Sequence, residues 1–294
     1  MNPPPLRAMT LSPSEIEALH AVQKELLREL ARVCGALGLR YQIAAGTLLG
    51  AVRHQGFIPW DCDIDVALPR PDFERLLREA PALLDARCFL QHRGSDPAFR
   101  KRIATLRRHG SEFRQIGVAH LPMHHGIHID IFPFDAVRGA GWLGHLHLWG
   151  AWLLRLGHRV ANDPAQGRIG PGHPRWRRVG ARAGYLLARL TPAGARGRLY
   201  DAWLGTWGAA PPSHVACLVS LPLQWRRARR LARPLEEFLP TRPLLFEGHA
   251  FPAPAAYDAV LTRLYGDYRE LPPPALRVPR HIVTRFRPPA DTAS

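Results

Sequence analysis

The sequence has few cysteines and no long hydrophobic run, and each shortage excludes a class of protein. The four cysteines are scattered without a C-x-x-C pair, which argues against a structural zinc site. The N-terminus, from Met1 to Pro5, lacks the apolar segment of a signal peptide, so we expect a cytoplasmic protein. The longest apolar run, Trp142 to Leu154, is too short to span a bilayer. A buried helix is the favoured interpretation of that run. A helix in the membrane interface, at the inner face of the membrane, is the alternative.

Lysine is also scarce, so arginine supplies almost all of the formal net charge of +16. Lysine occurs only at Lys24 and Lys101. The planar guanidinium group binds phosphate in two places, and a basic field attracts polyanions. Nucleotides, nucleic acid, lipopolysaccharide and anionic lipid all fit this charge. A coding bias toward arginine explains the same composition without any partner.

Hydrophobic patterning predicts an α+β fold that begins with a long helix. Ser12, Pro13 and Glu15 form a helix start, and Gly38 is a natural stop. We predict a flexible tail over 1–11, a core of mixed sheet and helices over 12–136, and a mostly helical part over 137–294. The predicted strands are 40–44, 64–68, 88–91, 103–107, 113–118 and 127–132. The predicted helices are 46–52, 71–84, 142–158, 176–190, 194–207 and 258–265.

Three aspartates carry the chemistry that the sequence predicts. Asp63 and Asp65 lie two apart on a predicted strand, so both side chains point to one face. Asp130 lies between Ile129 and Ile131 on another predicted strand. Carboxylates held this close repel each other, and a shared Mg²⁺ or Mn²⁺ is the usual resolution. Asp61 precedes the strand and fits a turn residue equally well.

A glycine turn precedes these acids. Gly46 and Thr47 follow a predicted strand and begin a helix, where backbone N–H groups and a hydroxyl can meet a phosphate. The turn stands 17 residues before Asp63. This order of phosphate-binding turn, short helix and acidic strand indicates metal-dependent phosphoryl chemistry.

Three blocks of sequence resemble the LicD/fukutin family. The first is Gly46-Thr47-Leu48-Leu49-Gly50-Ala51-Val52-Arg53-His54-Gln55-Gly56-Phe57-Ile58-Pro59-Trp60-Asp61-Cys62-Asp63-Ile64-Asp65-Val66. The second is Ile129-Asp130-Ile131-Phe132-Pro133-Phe134-Asp135, and the third is Tyr265-Gly266-Asp267-Tyr268 with Leu271-Pro272-Pro273. The resemblance covers roughly residues 40 to 275.

The resemblance implies a polymerase-β-like nucleotidyltransferase core and transfer of a phospho-alcohol, phosphocholine first. The donor would be CDP-linked, and the acceptor would be a glycan such as lipopolysaccharide. Carried over by position, Asp63, Asp65 and Asp130 would hold the metal, with Asp61 also in the catalytic set. The donor would be bound by residues of the first block and one further arginine: Gly46, Thr47, Arg53, His54, Trp60 and Arg107.

The chain departs from the family pattern at two places. Cys62 stands where the family has a third acid, and on a strand it should face away from Asp63 and Asp65. The family's Lys-Leu-Arg segment is matched here by Thr105-Leu106-Arg107, without the lysine. Arg107 or Lys101 would have to replace that lysine.

Other candidates are assigned to packing or solvent. We interpret His124, His125 and His128 as surface and packing residues rather than metal ligands. The arginines at 226, 227, 229, 230 and 233 are interpreted as a solvated helix face, with an anionic acceptor or membrane contact as the alternative. Trp142, Trp149 and Trp152 fall near one helical face and are predicted to pack in a core.

Two other functions remain open on the sequence alone. Nucleotidyl transfer to a small molecule or an RNA end would use the same fold and leave the nucleotide on the product. A basic module that binds RNA or anionic membrane, with a vestigial site, would need no metal. No standard RNA-binding motif is present in the sequence, so we expect no specific nucleic acid partner.

Overall fold

The computed structural model describes residues 8–137, 141–162, 179, 182, 186, 190, 192–205, 213–221, 231–279 and 282–290. The structure gives bounds for six α-helices and eleven strands among these residues, so the predicted mixture of helix and sheet is confirmed. The helices are α1 (Pro13–Leu37), α2 (Ala45–His54), α3 (Arg70–Glu79), α4 (Trp142–Asn162), α5 (Ala193–Gly205) and α6 (Tyr257–Tyr265). The strands are β1 (Gln42–Ile43), β2 (Asp65–Pro69), β3 (Cys88–Gln91), β4 (Ala104–Arg108), β5 (Glu112–Gln115), β6 (His128–Val137), β7 (His214–Ala216), β8 (Arg233–Pro234), β9 (Thr241–Phe246), β10 (His249–Pro254) and β11 (Val283–Arg287).

The ends of α1 are set by the residues that the sequence predicts. The Ser12 side chain accepts a hydrogen bond from the Glu15 backbone N–H, and the Glu15 carboxylate accepts one from the Ser12 backbone N–H. Gly38 ends the helix with φ of 63°, a left-handed conformation that glycine adopts without strain. The buried face of α1 is apolar except for one amide side chain, that of Gln23.

The central sheet places two acid-bearing segments side by side. Its strand order is β1-β2-β6-β4-β3, so β6 lies between β2 and β4. In the β4–β6 register, Leu106 stands opposite Ile129 and Thr105 opposite Asp130. The apolar side of α1 joins the sheet residues in one hydrophobic core. Burial of this core is the main driving force for the fold.

The chain divides into two compact units at positions that differ from the predicted boundary. One unit consists of residues 1–133 and 236–294, and the other of residues 134–235. The return of 236–294 is explained by pairing across the sequence: β11 pairs with β5, and the Glu247 side chain accepts a hydrogen bond from the Phe57 backbone N–H. The part after 137 is also less helical than predicted, since β7 to β11 fall within it.

The unit 134–235 contains a helix pair and a small antiparallel sheet. The end of β6 pairs with β7, which pairs with β8. In the helix pair, the Trp203 indole donates to the His147 carbonyl, and the Trp203 ring lies so close to Gly150 that a Cβ there would be 2.2 Å from it. The described part of the chain has no helix long and apolar enough to cross a membrane.

Several predicted boundaries shift by a few residues. The predicted strand 40–44 is reduced to β1, while the predicted strand 127–132 extends to Val137 as β6. Within the predicted tail, Met9 pairs with Val283 through its backbone and Leu11 is buried; residues 1–7 lie outside the described residues. Most of the predicted helix 176–190 also lies outside them, although 179, 182, 186 and 190 are helical.

Candidate functional site

The first acidic segment, residues 61–65, alternates between the core and the outside. Asp61, Asp63 and Asp65 are partly exposed, whereas Cys62 and Ile64 are buried. The sequence predicts that Asp63 lies on the same strand as Asp65; in the structure β2 begins at Asp65, so Asp63 lies two residues before the strand. The two-residue alternation nevertheless holds, and the three carboxylates share one side. Cys62 faces the core, as predicted.

Asp130 is brought to this segment by the sheet. Its backbone N–H donates to the Ile64 carbonyl over 2.8 Å. Its Oδ2 lies 3.3 Å from Lys101 Nζ, and its Oδ1 lies 3.6 Å from His128 Nε2. Oδ1 is buried and has no hydrogen-bond partner among the described residues. The predicted neighbourhood of Asp130 with Asp63 and Asp65 therefore exists, and Lys101 and His128 belong to it.

The carboxylates of this group act on each other electrostatically. Burial raises the pKa of Asp65 well above its ordinary value, and the negative charges of Asp63, Asp130 and Asp61 raise it further. The Lys101 ammonium opposes this rise. Because like charges in a poorly solvated site are costly, the group favours a positive partner.

The predicted glycine turn lies against both ends of the acidic segment, at Asp61 and at Asp65. Thr47 Oγ1 accepts a hydrogen bond from the Asp65 backbone N–H over 2.8 Å. A Cβ at position 46 would lie 2.6 Å from Asp61 Oδ2, so only glycine fits without moving that carboxylate. The α2 N-cap is Ala44, whose side chain cannot bond the first-turn N–H groups. Amides at a helix start without a side-chain cap are suited to an anion.

The α1 helix supports the site through two residues that the sequence analysis missed. His20 Nε2 lies 2.8 Å from the Asp61 carbonyl oxygen. Gln23 Nε2 donates to the carbonyls of Cys62 and His128, over 3.0 and 3.1 Å. One amide group therefore ties the first acidic segment to β6. A polar residue at a buried position of an apolar helix face was the available signal.

A second group of predicted residues lies at the other end of α2. Arg53 donates to the carbonyls of Tyr268 and Glu270, and the His54 ring lies edge-on to Trp60 at 6.4 Å. Burial lowers the pKa of both Arg53 and His54. His54 stands seven positions after Thr47 in the helix, about 10 Å farther along its axis. Arg53 thus connects α2 to the third sequence block, and its guanidinium already binds protein carbonyls.

Arg107 does not reach the surface where a donor would bind. It is 3% exposed, and its guanidinium donates to the Gln91 side chain and the Gly126 carbonyl while contacting His128 Nδ1. Burial lowers its pKa to about 10. Of the two candidates to replace the missing lysine, Lys101 is the one beside an acid.

The remaining candidates divide between packing and exposure. His124 contacts His109 and accepts from the Gly126 N–H, and His125 is buried, whereas His128 stands beside Asp130. The prediction of a solvated helix face is wrong for Arg233, which lies in β8 and is buried with its guanidinium over the Phe134 ring. The arginines from 226 to 230 lie outside the described residues. The prediction of core packing is wrong for Trp142 and Trp149, which are exposed.

The chemistry of the acids fits a hard divalent cation. The group offers carboxylate oxygens, mutual repulsion, and a buried Asp130 oxygen without a hydrogen bond. Oxygen ligands of this kind suit Mg²⁺ or Mn²⁺. The described residues contain no group of three or more His, Cys, Asp and Glu side chains already arranged to hold a metal ion. The carboxylate oxygens are of the kind that binds Mg²⁺ or Mn²⁺. The side chains would have to take up their coordinating arrangement when the ion binds.

Comparison with known proteins identifies the same segment. Residues 38–155 match a family model described as LicD/FKTN/FKRP, nucleotidyltransferase domain. Over 45 residues the chain is 47% identical to the lipopolysaccharide cholinephosphotransferase LicD of Haemophilus influenzae, covering 15% of this chain and 17% of that protein. Over 131 residues it is 34% identical to the human ribitol 5-phosphate transferase FKRP, covering 40% of this chain and 23% of that protein. The matched segments thus span about a quarter or less of these relatives. The resemblance to the LicD/fukutin family is confirmed.

Proposed function

We propose, from the match to a LicD/FKTN/FKRP nucleotidyltransferase domain, that this protein transfers a phospho-alcohol from a CDP-linked donor to a glycan hydroxyl and releases CMP. Both relatives described above are named as transferases of a phospho-alcohol, cholinephosphate in one and ribitol 5-phosphate in the other. Phosphocholine is the group that we propose first, and the core is proposed to be a polymerase-β-like nucleotidyltransferase fold.

The observation that carries the proposal is the convergence of four aspartates on one side of the sheet. Asp61, Asp63 and Asp130 all raise the pKa of Asp65, so they act as one electrostatic group. We assign Asp63, Asp65 and Asp130 as the residues that would hold Mg²⁺ or Mn²⁺. When bound, the cation would neutralise charge on the transferred phosphoryl group.

The residues around the acids have distinct proposed roles. Gly46 and Thr47 lie at the start of α2, where main-chain N–H groups can bind a donor phosphate. The Thr47 hydroxyl already fixes the Asp65 backbone. Lys101, bonded to Asp130, can move its ammonium to a phosphate oxygen once that acid is neutralised. Arg53, His54 and Trp60, at the far end of α2, are proposed to shape the site rather than contact the reacting phosphate.

The proposed reaction is an in-line displacement. The acceptor oxygen forms a bond to the phosphorus that bears the alcohol, and the bond from that phosphorus to the CMP oxygen breaks. The acceptor hydroxyl proton passes to a carboxylate oxygen, for which Asp61 is our candidate. CMP leaves as the other product.

The test is CMP release from CDP-choline, CDP-ethanolamine, CDP-ribitol and CDP-glycerol, with and without Mg²⁺ or Mn²⁺. We expect metal-dependent release from one donor, lost in Asp63→Ala and kept in Asp201→Ala, which removes an exposed carboxylate on α5. Pyrophosphate release from a nucleoside triphosphate, with the nucleotide left on the product, would instead establish nucleotidyl transfer. Release that is independent of metal and unchanged in Asp63→Ala would refute the proposal.

A further inference from the structure

The exposed side of α4 is apolar over most of the helix. Trp142, Leu146, Trp149 and Leu153 are 73, 42, 49 and 45% exposed. At 3.6 residues per turn, they fall within roughly 60° of arc and extend over about 16 Å. Isolated exposed apolar residues are ordinary, but a continuous stripe of large ones marks a binding surface.

The opposite side of α4 is already used inside its own unit. His147, Leu148 and Ala151 are buried, and Trp203 of α5 packs on Gly150 and bonds with His147. The apolar stripe is therefore additional to the surface that holds the helix in place. We call Trp142, Leu146, Trp149 and Leu153 the α4 stripe.

The unit that carries the α4 stripe also carries most of the charge of the protein. Residues 134–235 include 16 arginines and 3 aspartates and no lysine or glutamate, a formal net charge of +13 out of +16 for the whole chain. The remaining residues, which include the aspartate group, are close to neutral at +3. A coding bias toward arginine could explain an overall excess of positive charge. It does not explain why that excess is concentrated in one unit.

Exposed apolar residues and positive charge together specify one kind of partner. Tryptophan and leucine on one helical face favour the boundary between headgroups and acyl chains, where indole rings are enriched. Basic residues near such a helix are attracted to anionic headgroups. If the partner were the same unit of a second copy of this chain, two units that each carry a net charge of +13 would repel each other. The α4 segment also contains no acidic residue that would repel anionic lipid.

We infer that the unit 134–235 binds the surface of an anionic lipid bilayer, with the α4 stripe inserted among the headgroups and the net positive charge of the unit attracted to the lipid phosphates. The helix would lie parallel to the membrane plane. This inference goes beyond the proposed transfer reaction and does not depend on it, because lipid binding is measured without donor or acceptor.

The test is co-sedimentation of the full chain with vesicles of phosphatidylcholine alone or with 30% phosphatidylglycerol, a composition chosen at roughly the anionic content that attracts basic segments. We expect binding to the anionic vesicles that weakens about tenfold or more in Leu146→Ser/Leu153→Ser. The matched control is Leu245→Ser/Leu276→Ser, the same change at residues 53 and 66% exposed in the other unit. Thermal melts of both variants would show that they fold.

Three outcomes would overturn the inference. The first is equal binding of the stripe variant and the control variant, which would assign lipid binding to charge elsewhere. The second is no binding of the parent protein to either vesicle. The third is self-association of the parent protein by light scattering, lost in the stripe variant and without lipid binding, which would make the stripe a contact between copies.

Discussion

Two buried glutamines should respond differently to replacement by leucine, because only one of them makes hydrogen bonds across the site. Gln23 and Gln42 are each 1% exposed. Gln23 donates two hydrogen bonds, to Cys62 and His128. Both side-chain polar atoms of Gln42 lack a partner among the described residues. Gln23→Leu and Gln42→Leu are therefore the same chemical change at the same burial.

The expected difference follows from the number of bonds lost. Each hydrogen bond contributes about 1 kcal/mol to the net stability. Gln23→Leu should consequently be less stable than Gln42→Leu by about 2 kcal/mol or more. For a protein of this size that is a difference in Tm of roughly 3 °C. Removing the unpaired amide of Gln42 should leave stability unchanged or raise it.

The effect on catalysis should separate the two variants further. The Gln23 amide holds the carbonyl next to Asp63 and the carbonyl two residues before Asp130. Without it, the two acidic segments lose a direct connection, and turnover should fall in Gln23→Leu and be retained in Gln42→Leu. The assay is a thermal melt of each variant with CMP release from the preferred donor. Equal melting temperatures and equal turnover in the two variants would refute the reasoning.

Three other predictions concern the glycine turn and a buried histidine. Gly46→Ala should lower turnover in the CMP assay, because the new Cβ would lie 2.6 Å from the Asp61 carboxylate. The control is Gly35→Ala in α1, where a Cβ meets open space; it should keep turnover and raise the free energy of unfolding by about 0.5–1 kcal/mol in denaturant melts. Thr47→Val should lower turnover about fivefold by removing the acceptor for the Asp65 N–H, and Thr47→Ser should restore it; equal rates in the two would exclude this role. Burial lowers the pKa of His147 to about 4, so between pH 6.5 and pH 4 the unfolded chain binds a proton at this residue that the folded chain does not. The free energy of unfolding should therefore fall as the pH is lowered from 6.5 to 4. His147→Gln should reduce that fall when denaturant melts are compared across this range.

Local chemistry made part of this structure predictable. The capping box of Ser12 and Glu15, and the stop at Gly38, depend on neighbouring residues, so the bounds of α1 follow from the sequence. The alternation through Asp61, Asp63 and Asp65 is likewise local, and it holds even where the strand begins later than predicted.

Contacts between distant parts of the chain were not predictable in the same way. Gln23 reaches His128 across 105 residues, and the segment after Glu236 returns to pair with β5. The role of Arg107 depends on its burial against Gln91, which follows from the register of β3 on β4. Helical spacing placed Trp142 and Trp149 on one face but could not say that the face is exposed, because that depends on what packs against α4.

The most direct test of the account is Mn²⁺ binding measured by electron paramagnetic resonance in the presence of CDP-choline. The account predicts bound Mn²⁺ in the parent protein and in Asp201→Asn, with the bound signal lost in Asp65→Asn. Each variant replaces one carboxylate by an amide, so a general effect of losing an acid would affect both. Unchanged Mn²⁺ binding in Asp65→Asn would contradict the assignment of the aspartate group as the metal site.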